Sequence, residues 1–339
     1  MKIISTIPEG QGWYTVTHLS RIAARLLEAD HVEIQERATG ITNTQRILSV
    51  APRRRGSGES VLVIAPTPGH LYAVLSTQYL RRKYEKVFAW VIDSFWEERI
   101  PAVARNRGHF DHLFVTDPES IEPWKKATGT SVGWLPIGVD VLDGGSASPD
   151  RDVDVRRVGR QPPDWDDDER SFDACSRAGL RFEGRPGYQS EYTRTYELYL
   201  AALARSRFVL AFNNLEAPAR YTHPTRSYIT FRWGEILGAG GVVAGRTPDC
   251  GTSRELLWPG ATLDLGTIAR DPALPILREA VRDWDPSMAA FNHWMALQRL
   301  DLRWRISAIA ESMDIGTPTL DTEMARLRAA IETRRPQGV

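Results

Sequence analysis

Two α/β domains, each an open sheet with helices packed on it, are what this sequence predicts, and three observations carry that prediction. Apolar runs ending in turn residues alternate with longer amphipathic stretches, the pattern of a sheet joined by helical crossovers. The chain has 339 residues, too many for one ordinary domain and enough for two of about 150 each. Residues 141–153 concentrate Gly, Ser, Asp and Pro near the middle, the composition of an interdomain linker.

The elements follow in chain order. Residues 2–7 are a short apolar first strand, followed by the loop 8–12. Residues 15–28 repeat apolar side chains at helical spacing, through Val16, Leu19, Ile22, Ala23, Leu26 and Leu27. Further strands are expected at 60–65, 86–92, 112–116 and 131–135. Beyond the linker the pattern gives a strand at 153–158, a helix at 164–178 with an acidic start, a strand at 180–183, a helix at 192–204 and a buried strand at 208–212. The last 50 or so residues read as helical, and Trp284, Trp294 and Trp304 fit helix-packing aromatics. Ligands of open α/β sheets bind beyond the carboxyl ends of the strands. Glu9, Gly10, Gly12, His70, Asp93 and Asp117 all fall on that edge.

Composition narrows the function classes. Formal net charge is +0, so no bulk basic field draws the chain to nucleic acid or an anionic membrane. Of 43 basic residues only five are lysine, the last being Lys126. Any phosphate clamp in the second half must therefore use arginine, which binds phosphate oxygens bidentately. Two cysteines, Cys175 and Cys250, are too few for a disulfide framework or a thiolate metal site, although one bridge stays open. Residues 1–7 do not read as a signal sequence and no run of about 18 apolar residues occurs, so neither a signal peptide nor a membrane span is expected, and a reducing cytoplasm is the expected setting.

The most informative segment is 232–255. Glu235 opens an apolar helical turn that ends in Gly238, Gly240 and Gly241; a short apolar strand follows, then a polar loop. Glycines there let a charged or flat ligand approach the backbone and supply positive φ. A carboxylate beside them can accept both hydroxyl protons of a ribose. The same residues also fit a helix cap feeding a core strand, with Glu235 on a solvated face.

This segment resembles the donor-binding helix of GT-B glycosyltransferases, Glu-Ala-x-Ala-x-Gly before an apolar strand. Residues 110–117 and 134–140 resemble the end of the acceptor domain and its exit. Val-Gly-Arg at 158–160 resembles the first glycine turn of the donor domain, and residues 205–214 the strand before the donor pocket. Arg232, three residues before Glu235, resembles the group related to spore-maturation glycosyltransferases. One departure stands out: Ser227 occupies the place where many retaining members carry a second glutamate.

The resemblance implies two Rossmann-like domains facing across a cleft, an acceptor domain at 1–145, a nucleotide-sugar domain at 152–300, and C-terminal helices at 301–335 packing back toward the first domain. It implies transfer of a sugar from a nucleotide-diphosphate sugar to a small-molecule or glycan acceptor, with no cofactor and no metal. Glu235 is expected on the ribose. Gly159, Arg160, Arg226, Arg232 and the backbone at Gly240 and Gly241 are expected around the diphosphate, with Asn213 and Asn214 lining the donor pocket. Asp93, then His70, are the candidate bases, and Glu9, Gly10, Gly12 and His18 the candidate acceptor contacts. The acidic run 164–169 and the pair Asp152 and Asp154 are weak metal candidates. A non-catalytic binder of the same fold is the alternative. A nicotinamide enzyme fits poorly, since Gly10-Gln11-Gly12 is followed by Thr15 where a third glycine belongs.

Overall fold

The computed structural model describes residues 1–8, 11–35, 56, 58–71, 84–101, 104–105 and 108–336. The chain divides into two compact units, one of Met1–Ile137 with Arg303–Met324, the other of Gly138–Leu302 with Ala325–Val339.

The first unit is built on a six-stranded sheet of β1 (Lys2–Ile7), β2 (Asp30–Gln35), β3 (Val61–Ala65), β4 (Val87–Val91), β5 (His112–Val115) and β6 (Ser131–Trp134). Their order is β2-β1-β3-β4-β5-β6, every pair parallel. Strands β3 and β4 are buried at every position, as expected of parallel strands covered on both faces. Helix α1 (Tyr14–Leu26) buries Val16, Leu19, Ile22, Ala23 and Leu26, the spacing read from the sequence. Each fully buried Val, Leu or Ile contributes roughly 1.5–3 kcal/mol. Strand β2 is not anticipated by the sequence: Asp-His-Val-Glu-Ile-Gln is an edge strand in which only Ile34 is fully buried, so its apolar signal is weak. Helix α2 (Ile121–Thr128) precedes β6 and ends on Gly129 at φ 66°.

The second unit holds β7 (Val153–Arg157), β8 (Phe182–Glu183), β9 (Ser206–Leu210), β10 (Val242–Ala244) and β11 (Thr262–Leu263), all parallel, in the order β11-β10-β9-β7-β8. Its helices are α3 (Val141–Gly144), α4 (Asp168–Arg177), α5 (Tyr192–Ala204), α6 (Phe231–Gly238), α7 (Gly251–Leu256), α8 (Arg270–Arg282) and α9 (Ser287–Arg299). Trp165, Phe182, Phe208 and Leu210 anchor its core, and Trp284 packs edge-on against Phe208 with ring centroids 5.5 Å apart.

The chain leaves the first unit after Ile137, so residues 141–153 are not a free linker. They carry α3 and the buried Arg151. The C-terminal helices α10 (Leu302–Met313) and α11 (Pro318–Thr333) are divided between the two units. Within the first, Thr317 donates to the Leu26 carbonyl at 2.5 Å and Lys86 to the Met313 carbonyl at 3.2 Å. From Ala325 onward the chain belongs to the second unit, where Trp294 donates to the Ile331 carbonyl at 3.0 Å and Arg326 pairs with Asp143.

Candidate functional site

Strand order decides where each sheet opens. In the first unit the order reverses between β1 and β3, in the second between β7 and β9. Such a reversal splays the loops beyond the carboxyl ends and leaves a crevice. The pairing of Arg157 with Leu210 and of Leu210 with Ala244 sets Val158-Gly159-Arg160 and Phe212-Asn213-Asn214 side by side on that edge.

Gly159 sits at φ 63°, and a Cβ there would fall on the guanidinium of Arg232. The turn is glycine because the arginine of α6 passes directly against it. Arg232 donates to the Arg160 carbonyl at 3.5 Å. Burial lowers its pKa, the Arg160 charge adds to that, and Tyr199 and Glu235 oppose it. The Arg160 guanidinium lies 5.4 Å from the ring centroid of Tyr221, which is 68% exposed. Its Nε is buried without a hydrogen-bond partner, and among the described residues no carboxylate pairs with it. Two adjacent guanidinium groups held at a glycine turn have the charge and the donor geometry that hold phosphate oxygens in general.

Glu235 is not at the start of its helix. It is the fifth of the eight residues of α6 and is 6% exposed. Its Oε1 accepts from the Tyr196 hydroxyl and its Oε2 from the Tyr199 hydroxyl, both at 3.0 Å. Burial, and then the Glu235 charge, push both phenols well above their ordinary pKa, so both stay donors. Sequence reasoning missed these tyrosines. The available signal was their i,i+3 spacing on a helix, which puts both rings on one face.

Gly240 and Gly241 do not cradle a phosphate. Their N–H groups donate to the carbonyls of Leu237 and Ile236 at 2.9 and 3.0 Å and close the C-terminus of α6, the negative end of its dipole. Gly240 is at φ 78°, and a Cβ would come within 2.5 Å of Arg151 Nη2 and 2.7 Å of the Ala289 and Ser146 carbonyls. Arg151, 5% exposed, donates to the carbonyls of Leu203, Ser206 and Ala239, and burial lowers its pKa to about 10. The glycines are needed for this packing. Gly240→Ala should destabilise the protein by about 3 kcal/mol, from the left-handed backbone and the overpacking together. Chemical denaturation checks this, and a loss below about 1 kcal/mol would contradict it.

The asparagines build the loop that follows β9. Asn213 Oδ1 accepts from the N–H groups of Leu215 and Glu216 at 2.8 and 3.2 Å. Asn214 donates to the carbonyls of His223 and Arg226 at 2.8 and 2.6 Å, while its Oδ1 is buried without a partner. His223 Nδ1 accepts from the backbone of Thr225 and Arg226 at 3.2 and 3.0 Å. Arg226 and Ser227 are thereby fixed in place, and Ser227 Oγ is also buried without a partner. The asparagines thus shape the segment that follows β9 through side-chain bonds to backbone.

In the first unit, Ala65, Val91, Val115 and Trp134 lie in one row across β3 to β6, so Asp93 and Asp117 project beyond it together. Asp93 is half-buried. Burial raises its carboxyl to about 7, with Arg99 partly opposing. Among the described residues no hydrogen bond or ion pair engages that carboxyl. The Arg99 guanidinium sits 3.3 Å from the Trp96 ring centroid. His70 Nδ1 is 2.8 Å from the Thr67 hydroxyl, on the loop after β3. His18 stacks on Tyr14 in α1, centroids 6.1 Å apart. Gly12 is exposed with open space around it. Glu9 and Gly10 lie outside the described residues.

The weak metal candidates are engaged by arginine. Asp152 pairs with Arg205 and Arg181, Asp154 with Arg207, and both Asp166 and Asp168 with Arg157. Instead of a continuous helix start, residues 164–169 hold a short turn of Pro163–Trp165 and the cap Asp167, which accepts from Arg170 N–H at 3.0 Å. Among the described residues no group of three or more His, Cys, Asp or Glu is placed to hold a metal ion, and no helix is long and apolar enough to cross a membrane. Cys175 and Cys250 are both buried.

Comparison with known proteins adds the fold. No family model matches the chain, and no curated protein matches it in sequence. Solved structures do match. Anabaena Alr3699/HepE in complex with UDP superposes with a TM-score of 0.54 at 13% identity, covering 93% of this chain and 100% of that one. Sucrose-phosphate synthase from Thermosynechococcus elongatus gives 0.55 at 10% identity, covering 93% and 98%. The lipopolysaccharide outer core galactosyltransferase WaaB, in its apo form, gives 0.50 at 12% identity, covering 92% and 99%. These likenesses, over nearly the whole of both chains, show that the chain has the GT-B fold of two parallel-sheet α/β domains.

Proposed function

We propose that this GT-B chain is a glycosyltransferase that moves a hexose from a nucleotide-diphosphate sugar to a hydroxyl or amine of a small-molecule or glycan acceptor, without a metal ion, in the cytoplasm. The observation that carries the reading is the pair Arg160 and Arg232 at the Gly159 turn, on the switch-point edge of the second unit. The solved structures of HepE with UDP and with UDP-glucose support a nucleotide donor on this fold.

In this reading the acceptor oxygen forms a bond to the anomeric carbon as the bond from that carbon to the diphosphate oxygen breaks. The departing diphosphate gains negative charge, which Arg160 and Arg232 stabilise in place of a metal. Asp93 accepts the proton of the acceptor hydroxyl, and a carboxyl titrating near 7 is matched to that task. His70 is the second candidate. Glu235 takes the ribose hydroxyls. Arg226 is a further phosphate contact, and Gly12 and His18 are acceptor contacts.

The test is release of nucleoside diphosphate from a panel of UDP-, GDP- and dTDP-sugars offered with simple sugar and alcohol acceptors. Release above the rate of Asp93→Asn protein supports the assignment. Binding of the nucleotide with no release from any donor would move the chain to the non-catalytic alternative, which Ser227 in place of a second glutamate favours.

A further inference from the structure

We propose that Tyr196 and Tyr199 are positioning residues for the Glu235 carboxylate, and that through it they set the preference of the donor site for ribonucleotides over 2′-deoxyribonucleotides. This rests on the reading that the second unit holds a nucleotide diphosphate.

The geometry points to a fixed carboxylate plane. Each phenol donates to a different oxygen of Glu235, both at 3.0 Å, so the group is held at two points and cannot turn about its last bond. The two tyrosines stand three residues apart on α5, and their rings stack with centroids 6.2 Å apart at 29°. They therefore form one rigid face. A buried carboxylate lacking donors would be costly to ionise, and the two phenols offset that cost for Glu235, which is 6% exposed.

A vicinal diol is read by a carboxylate only when both oxygens meet both hydroxyls, which demands an orientation good to about 10–20°. Glu235 also shares its short helix with Arg232, three residues earlier. The phenols consequently fix the spacing between a ribose contact and a diphosphate contact. A plane held this tightly penalises a sugar that lacks one hydroxyl, because a buried acceptor is then left unmet.

The experiment is calorimetric titration of UDP, GDP and ADP, each beside its 2′-deoxy counterpart, with inorganic pyrophosphate as a control for the phosphate contacts. Wild type should favour the ribo form by roughly tenfold or more, since a hydrogen bond to a charged group is at stake. In the Tyr196→Phe/Tyr199→Phe double variant that ratio should fall about tenfold, with pyrophosphate affinity unchanged. If the double variant does not fold, each single phenylalanine variant should show an intermediate ratio.

A ratio left intact in the double variant, or in both single ones, overturns the proposal. So does tighter ribonucleotide binding in them, which would mean that the phenols compete with the ribose. Glu235→Gln separates the two levels of the claim. If wild type shows no ribo preference, or Glu235→Gln keeps it, the ribose role of Glu235 fails and the proposal with it. If Glu235→Gln loses the preference while the phenylalanine variants keep it, the positioning role alone is wrong.

Discussion

Replacing Asp93 by asparagine should lower turnover by roughly 10²–10⁴-fold, the usual contribution of a positioned general base, while nucleotide affinity stays within about twofold because the donor contacts assigned above lie in the other unit. Two further signatures come from the raised carboxyl, which titrates at about 7. The base acts only when ionised, so wild-type kcat/KM should climb with pH up to about 7 and then level off. Folding responds in the opposite sense. The folded state keeps this proton to a higher pH than the unfolded chain, whose carboxyl titrates near 3.9, so stability contributed here falls as pH rises from about 4 through about 7. Asparagine has no charge to desolvate, and the variant should melt at a higher temperature than wild type at pH 8. A fully active Asp93→Asn protein, or a pH profile flat between 6 and 8, would remove Asp93 as the base.

The second large effect belongs to Arg232. Truncation to alanine should weaken binding of a nucleoside diphosphate by about 10²-fold, the loss expected when charge-assisted hydrogen bonds to phosphate disappear. Binding of the nucleoside alone should change little, and that contrast separates a phosphate contact from general damage to the pocket. Lysine at this position should recover only part of the affinity, because an ammonium cannot reproduce a bidentate fork. Its neighbour Arg160 has no carboxylate partner among the described residues. An incoming diphosphate therefore relieves the mutual repulsion of the two guanidinium groups instead of breaking an existing ion pair. Equal affinity of wild type and Arg232→Ala for the diphosphate would discard this arrangement.

The sheet skeleton was readable because parallel strands buried on both faces leave unbroken apolar runs: β3, β4 and β9 each fall within two residues of the expected span. Strand β2 was not, since an edge strand with one buried side chain carries almost no apolar signal. At the site, Gly159 and Arg232 were expected near the diphosphate, and the structure brings them into contact. Their order along the chain, a glycine turn after one strand and an arginine on a later helix, carried that information.

What the sequence concealed was tertiary. Gly240 and Gly241 resemble a phosphate cradle in one dimension, but the Arg151 that packs against Gly240 holds the Ala239 carbonyl of the same cap from 88 residues away, in no local pattern. The Tyr196 and Tyr199 contacts to Glu235 span 39 and 36 residues, so neither the carboxylate nor the phenols announce the other. The high pKa of Asp93 likewise comes from burial, which composition does not reveal.

The central claim is that the second unit holds a nucleoside diphosphate through Arg160 and Arg232, and calorimetric titration of purified protein with UDP, GDP and dTDP tests it most directly. At least one of them should bind in the micromolar range, as is common for enzyme substrates, and raise the melting temperature as its concentration rises. That affinity should collapse in an Arg160→Ala/Arg232→Ala protein that remains folded. No heat and no thermal shift with any of the three at millimolar concentration, or affinity unchanged in the double variant, would contradict it.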